Sequence, residues 1–195
     1  MISSNRLNTL FGAEQTHRLL SQFPRSAKGS YSFLFRQYLF QQKSDNIKKK
    51  TSGRKLVELG AGKQYKNHLN NILGDGYFDL DCSNYIGLDP SYKQGLTGYF
   101  NEKAVEITPC DGLSYLLEQQ DNSCNVMSLG VFAKGVLEPE TETQEYLERL
   151  INEIYRVTFD DGISMHITDF PELFEQNFKL IECDPSLKVY LFEKK

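Results

Sequence analysis

From residue 55 onward, short apolar segments alternate with longer amphipathic ones, and this alternation restricts the possible folds more than any other feature. The strand candidates are KLVEL, NYIGLD, KAVEIT, NVMSLGVF, GISMHIT, FKLIE and LKVYLF. Helical patterns stand between most of them. The clearest is TQEYLERLINEIYR, in which Leu147, Leu150 and Ile154 share one face. Strands that alternate with helices predict β–α–β units and a mostly parallel sheet covered by helices on both faces.

The last two strand candidates follow a different rule. FKLIE and LKVYLF are separated by CDPS, which is too short to hold a crossover helix. They should therefore form an antiparallel hairpin, which residues 178–192 would span. The pattern as a whole predicts an α/β protein with a seven-stranded mixed sheet whose last strand is antiparallel.

The first part of the chain has a different character. Two helices are predicted, around AEQTHRLLSQF and over residues 30–42, before the polar, basic run QQKSDNIKKKTSGRK, which resembles a solvated connection. The predicted division is an N-terminal helical extension with a basic linker at 1–53 and a main domain at 54–195. The helix at 30–42 is apolar nearly all round and must be covered. It would act as a lid on the sheet's carboxyl edge, or pack against an outer helix or a second copy, giving a homo-oligomer.

Composition excludes several classes of function. The chain has 195 residues, enough for one domain with a sizeable core, and a net charge of −4, which gives no general attraction to nucleic acid or to an anionic membrane. No apolar run reaches the length of a membrane-spanning helix or a signal peptide. The cysteines show no CxxC or Cys/His spacing, so no metal site is expected. We expect a cytoplasmic location.

Three acids stand at predicted strand ends. Glu58 is the second-last residue of KLVEL, Asp89 follows NYIGL and Asp111 follows VEITPC. Because open parallel sheets bind ligands beyond the carboxyl ends of their strands, these acids should line one edge. Gly60 and Gly62, just after Glu58, would let the backbone approach a ligand closely. Each acid also has a structural interpretation: an ordinary strand-end acid for Glu58, a helix start for Asp89 and an N-cap for Asp111.

The chemistry of this edge favours some ligands over others. A carboxylate beside bare backbone would repel a phosphate, and it suits a ligand with hydroxyls or a positive charge. The dinucleotide fingerprint also needs glycine at its sixth position, where this chain has Tyr65. A dinucleotide oxidoreductase is therefore disfavoured.

Residues 54–195 resemble the class I S-adenosylmethionine-dependent methyltransferases. VELGAGKQY is similar to the family's first motif, YIGLDPS to its second strand with the ribose-binding acid, and CDGLSYLLEQQDNSCNVMSLGVF to its third and fourth motifs. EYLERLINEIYRVTFDDGISMHI is similar to the following helix, turn and fifth strand. The chain departs from the family at Gln64 in place of the third glycine, at Asn125 in place of an acid, and at Asp161 in place of the first of two glycines.

The resemblance implies a Rossmann-like fold and S-adenosylmethionine as cofactor. Glu58 would favour the ammonium end, Asp89 would accept hydrogen bonds from the ribose hydroxyls, and Asp111 would accept one from the adenine amino group. The cofactor-binding residues that the resemblance implies are Glu58, Gly60, Ala61, Gly62, Asp89, Asp111, Gly112 and Leu129.

The expected reaction is in-line methyl transfer to a small-molecule acceptor. SLGVFAKG stands after the fourth strand in place of an Asn/Asp-Pro-Pro-Tyr signature, which disfavours methylation of nucleobase amines or glutamine. His166, in the fifth strand with Ser164 and Thr168 on the same side, would act as a base; the preferred interpretation is a buried strand histidine. A non-catalytic methyltransferase-like binding or scaffold protein is the alternative function, because Gln64 replaces a glycine and no catalytic dyad is evident.

Overall fold

A computed structural model describes residues 44–61, 82–100, 103–132, 140–184 and 188–195. The helices predicted around AEQTHRLLSQF and at residues 30–42 lie outside these ranges, as does Gly62. YKNHLNNIL, which reads as a helix between the first two strand candidates, lies outside them too. The proposed division at residue 53, the lid and the homo-oligomer therefore stay predictions.

The described residues form one sheet with helices packed on it. The elements are α1 (Ser44–Thr51), β1 (Lys55–Leu59), β2 (Asn84–Leu88), β3 (Leu96–Phe100), β4 (Lys103–Thr108), α2 (Gly112–Leu117), β5 (Asn125–Phe132), α3 (Glu140–Val157), β6 (Ile163–Thr168), α4 (Pro171–Glu175), β7 (Phe178–Asp184) and β8 (Val189–Lys194). Across the sheet the strands stand in the order β3-β4-β2-β1-β5-β6-β8-β7.

The sheet is parallel at its centre and antiparallel at both edges. The strands β4, β2, β1, β5 and β6 pair in parallel with one another in turn. The last strand, β8, runs antiparallel to β6 and to β7, which confirms the predicted mixed sheet, hairpin and reversed last strand.

The predicted number of strands was one too few. The described residues hold eight, because β3 adds to the edge of the sheet as an antiparallel neighbour of β4. This strand is largely exposed, with Tyr99 at 82%. An edge strand that buries little needs no alternation of apolar and polar residues, so LTGYF lacks the pattern that revealed the other strands.

The main core lies between the sheet and α3. The helix carries the predicted apolar face, and Leu147, Leu150, Ile151, Ile154 and Val157 join Val57, Leu59, Ile86, Leu88 and Val126 in one buried cluster. Thr141 followed by Gln144 fits a capping box in the sequence and predicts an N-cap at Thr141. The helix begins at Glu140, so Thr141 lies inside it and is not the N-cap.

Arg156, near the end of α3, ties this helix to α2. Its guanidinium donates to the carbonyl oxygens of Leu116 and Gln119, each at 2.8 Å. These carbonyls lie at and just after the end of α2, where helix carbonyls lack partners within the helix. The contact fixes α2, and with it Asp111 at the start of that helix.

The basic run before β1 is not the solvated connection that its charge suggested. It contains α1, whose Ile47 and Thr51 are buried one helical turn apart. Lys50 pairs with Glu193, and Arg54 pairs with Asp161 at 2.8 Å. Basic residues at the end of α1 and just after it therefore neutralise acids at the amino edge of the sheet. The spacing of Ile47 and Thr51 was the signal for a docked helix.

Asn125 explains one departure from the methyltransferase pattern. Its side chain is fully buried; Nδ2 donates to the Lys50 carbonyl at 3.1 Å, and Oδ1 accepts from the Ile163 N–H at 2.9 Å. An ionised aspartate could accept but not donate, so only the amide serves both partners. A Cβ on Gly162 would lie 2.7 Å from Asn125 Oδ1, which accounts for the glycine kept at that position.

Replacing Asn125 with aspartate should destabilise the fold. The Asn125→Asp variant loses the donor to Lys50 and buries a carboxylate, so its free energy of unfolding should fall by about 1–3 kcal/mol. Urea denaturation measures this. The matched control is Asn152→Asp on the exposed side of α3, where the side-chain oxygen accepts from Asn177 and an acid keeps that role. Equal stability of the two variants would contradict the role given to Asn125.

Candidate functional site

The register of the parallel strands sets where the three acids stand. Leu59 of β1 is level with Leu88 of β2, which is level with Thr108 of β4. Glu58 therefore lies one residue before this line, Asp89 one residue after it and Asp111 three residues after it. The sequence prediction that the three acids stand at one edge agrees with this register; their contact with a ligand stays a prediction.

Glu58 is fully buried, and its carboxylate accepts a hydrogen bond from the Tyr85 hydroxyl. Tyr85 is fully buried too. Burial raises the pKa of Tyr85 well above its usual value, and the Glu58 charge and hydrogen bond act in the same direction. The tyrosine thus stays protonated and donates throughout the neutral pH range. The sequence analysis missed Tyr85; it lies two residues before Gly87, the residue level with Glu58.

Gly87 makes room for this pair. A Cβ at position 87 would lie 2.9 Å from the Ala61 Cβ, 2.9 Å from Ile107 Cδ1 and 3.1 Å from the Tyr85 hydroxyl oxygen. Glycine within a strand is otherwise unfavourable and often marks close approach of other groups. Here the missing side chain lets the Tyr85 hydroxyl reach along the strand to Glu58.

The turn after β1 is hydrogen-bonded to the end of β2. The backbone N–H groups of Gly60 and Ala61 both donate to the Leu88 carbonyl, at 2.8 and 3.0 Å. Gly60 has φ +70°, and a Cβ there would lie 2.6 Å from Val131 Cγ2 of β5. Both the backbone conformation and the close approach of Val131 therefore require glycine. Ala61 is buried behind this turn.

Asp89 begins a turn and not the helix that its sequence context allowed. Its N–H donates to the Thr108 carbonyl at 3.2 Å, and its own carbonyl accepts from the Tyr92 N–H at 3.2 Å. The carboxylate accepts from the Ser91 N–H at 2.8 Å. A side-chain acceptor bonded two residues along the chain is typical of turns that start with aspartate. The half-buried carboxylate is therefore held at the edge of the sheet.

Asp111 is the N-cap of α2, as its structural interpretation predicted. Its carboxylate accepts from the Ser114 N–H at 3.1 Å, and the Tyr146 hydroxyl donates to it at 3.5 Å. Burial opposes ionisation of Asp111, but the hydrogen bonds, chiefly those from Ser114, hold its pKa below the usual value. A Cβ on Gly112 would lie 3.0 Å from Leu59 Cδ2, so the helix start lies directly against the end of β1.

Leu129 lies in β5, where the pairing with β6 shifts register between Ser128 and Phe132. The irregularity falls near the carboxyl end of β5, next to the end of β1. The backbone of Leu129 thus stands near the edge that carries the acids, and its contact with a cofactor stays a prediction.

His166 is a buried strand histidine, the preferred of its two interpretations. Its ring has no exposed surface, its Nε2 lies 2.5 Å from the Ser164 hydroxyl, and it stacks on Phe174 with ring centroids 4.4 Å apart. Burial lowers its pKa to about 3. A histidine so enclosed stays neutral and meets no solvent, so it does not supply a base at the edge of the sheet.

Among the described residues, no group of three or more histidine, cysteine or acidic side chains is arranged to hold a metal ion. No helix in the described part of the chain is long and apolar enough to cross a membrane.

No protein-family model and no curated protein matches this chain. Among solved structures it is similar to the N-methyltransferase NodS from Bradyrhizobium japonicum WM9, with a TM-score of 0.53 and 8% identity over 82% of this chain and 96% of NodS. The complex of NodS with S-adenosyl-L-homocysteine gives a TM-score of 0.50 and 9% identity over 80% and 85%. The [4+2]-cyclase SpnF gives a TM-score of 0.48 and 14% identity. The match covers 73% of this chain and only 58% of SpnF.

The likeness to NodS concerns the fold. The chain has the Rossmann-like fold of the class I S-adenosylmethionine-dependent methyltransferases, as its motifs predicted. The strand order and the reversed last strand agree with that assignment.

A methyl group at position 87 should disturb the buried pair and the turn together. Gly87→Ala places a Cβ within 2.9 Å of both Ala61 and Ile107, so we expect a loss of about 1–3 kcal/mol in the free energy of unfolding. The control is Gly98→Ala in β3, where a Cβ would meet nothing within 4 Å. Denaturation of both variants in urea measures the difference, and a Gly87→Ala variant as stable as Gly98→Ala would show that the space is not restricted.

Proposed function

We propose that this chain is an S-adenosylmethionine-dependent methyltransferase that transfers the methyl group in line to a small-molecule acceptor. One observation carries the proposal: the parallel register holds Glu58, the Gly60 turn, Asp89 and the start of α2 at one edge of a sheet with the methyltransferase fold. Each feature alone has a structural explanation. Their order along the edge follows the order of charged and polar groups along the cofactor.

Asp89 would hold the ribose. The bond from the Ser91 N–H at 2.8 Å fixes the orientation of its carboxylate. An ionised carboxylate has only acceptors and can take hydrogen bonds from both ribose hydroxyls at once. Each such charge-assisted bond is worth on the order of 1.5–3 kcal/mol.

The two ends of the cofactor would lie on either side of Asp89. Asp111 would accept from the adenine amino group, and the Gly112 N–H would reach a ring nitrogen. Glu58 would attract the ammonium of the methionine part, directly or through water, and the backbone at Gly60, Ala61 and Gly62 would pass close to the same part. Leu129, at the end of β5, would complete the set of cofactor-binding residues.

Methyl transfer requires few further groups from the protein. The sulfonium is an activated leaving group, so holding donor and acceptor in line supplies much of the acceleration. A base is required only if the acceptor must lose its proton during the reaction. His166 is buried and neutral, so it would not serve as that base.

The alternative is a methyltransferase-like binding or scaffold protein without catalysis. The observation that favours it is the full burial of Glu58 against Tyr85, which would equally suit a purely structural acid. Calorimetry of the full chain with S-adenosylmethionine, followed by a search for methyl uptake in metabolite extracts, separates the two. Heat with methyl uptake supports the enzyme, heat alone supports a binding protein, and no heat overturns the cofactor.

Replacing Asp89 should weaken cofactor binding. We expect Asp89→Ala to lower the affinity for S-adenosylmethionine by about tenfold or more, because a charge-assisted hydrogen bond to the ribose is lost. The control is Asp160→Ala, which removes an exposed acid from the turn before β6, at the opposite edge of the sheet. Unchanged affinity in a folded Asp89→Ala variant would show that Asp89 does not hold the ribose.

Two substitutions at Asp111 should separate its structural role from binding. Asp111→Ser keeps a good N-cap for α2, whereas Asp111→Ala removes the cap at a cost of about 1 kcal/mol. Serine is too short to replace the carboxylate at the adenine, so both variants should bind S-adenosylmethionine more weakly, and only the alanine variant should lose stability. If Asp111→Ser binds the cofactor as the wild type does, Asp111 serves as a cap only.

A further inference from the structure

Glu58 lies on β1, a central strand of the sheet that pairs with β2 and β5. It is level with Gly87 of β2 on one side and Met127 of β5 on the other. A buried carboxylate costs free energy unless it is hydrogen-bonded, and glycine and methionine side chains offer it no donor. The Tyr85 hydroxyl supplies one, to Oε2.

The position of that hydroxyl is fixed by the sheet itself. Tyr85 is fully buried and lies between Leu56 of β1 and Val105 of β4 in the strand pairing. The space that Gly87 leaves open takes the hydroxyl, which a Cβ at Gly87 would approach to 3.1 Å. A packed aromatic ring has few rotamers available, so the donor cannot move away from Glu58 without disturbing three strands.

A fixed donor matters for recognition of a cation. A glutamate side chain turns about three bonds, and a ligand that must first order it binds more weakly than one that meets it already oriented. Binding groups held by a second layer of packed residues keep the required geometry. Tyr85 belongs to β2, the strand that Asp89 directly follows. One strand would therefore align the acids for both the ribose and the ammonium.

We propose that Tyr85 is a positioning residue for the methionine end of the cofactor: its hydroxyl holds the Glu58 carboxylate in the orientation that receives the ammonium group. The inference rests on the proposed function and adds to it a residue that does not itself contact the cofactor.

The test uses two ligands that share the adenosine part. S-Adenosylhomocysteine carries the ammonium, and 5′-methylthioadenosine lacks it. In the full-length Tyr85→Phe variant, affinity for S-adenosylhomocysteine should fall about five- to tenfold, because Glu58 loses a fixed hydrogen bond, while affinity for 5′-methylthioadenosine should not change. The control is Tyr190→Phe, which removes a hydroxyl from a buried tyrosine of β8 and should affect neither ligand.

A double-mutant cycle tests whether Tyr85 acts through Glu58. Glu58→Gln should weaken S-adenosylhomocysteine binding by itself, and adding Tyr85→Phe should then have little further effect. Equal losses for both ligands, or additive losses in the double variant, would overturn the positioning role. So would wild-type affinity in folded Tyr85→Phe.

The same measurements distinguish this inference from the proposed function. If the wild type binds both ligands and Tyr85→Phe behaves in the same way, only the positioning role is overturned. If the wild type binds neither ligand, the proposed cofactor is overturned and the role of Tyr85 with it. Should Tyr85→Phe not fold, Glu58→Gln keeps the test open: equal loss of both ligands there would show that Glu58 does not serve the ammonium, which removes the role proposed for Tyr85.

Discussion

The structure depends on the parallel pairing of β1 with β2 and β5. Side chains alternate between the faces of a strand, so a shift of one residue in β1 would turn Glu58 away from Tyr85. Contacts at both ends of the strand oppose such a shift. At the amino end, Asn125 of β5 bonds to the Lys50 carbonyl, just before β1. At the carboxyl end, the Gly60 and Ala61 N–H groups share the Leu88 carbonyl of β2.

The order of the elements followed from the sequence because burial leaves a periodic pattern. The central parallel strands β1, β2 and β6 are buried on both faces and read as largely apolar runs, and α3 shows its apolar face directly. The two elements that were misjudged bury little. The strand β3 lies at an exposed edge, and α1 contributes two buried side chains, Ile47 and Thr51, among lysines. The lysines of α1 and the glycine of β3 obscured a short apolar signal.

The site was predictable in outline for a topological reason. Parallel strands bring their carboxyl ends to one edge, so acids after successive strands must gather there wherever the strands are correctly assigned. The partners of those acids were not predictable, because Tyr85 meets Glu58 only through a register and a gap that Gly87 creates. The departure at Asn125 is visible in the sequence, but its reason is not. The side chain donates to α1 and accepts from β6, and these two elements meet only in the folded chain.

Gly87 links the stability of the sheet to the geometry of the proposed site. Its missing side chain admits the Tyr85 hydroxyl on one side and the Ala61 methyl group on the other, so the buried acid and the turn after β1 share one space. Neither contact involves a ligand. The fold alone does not define a reaction, since related scaffolds serve many chemistries. The acids at this edge are nevertheless oriented before any ligand arrives: Glu58 accepts from the Tyr85 hydroxyl, and Asp89 and Asp111 accept from backbone N–H groups.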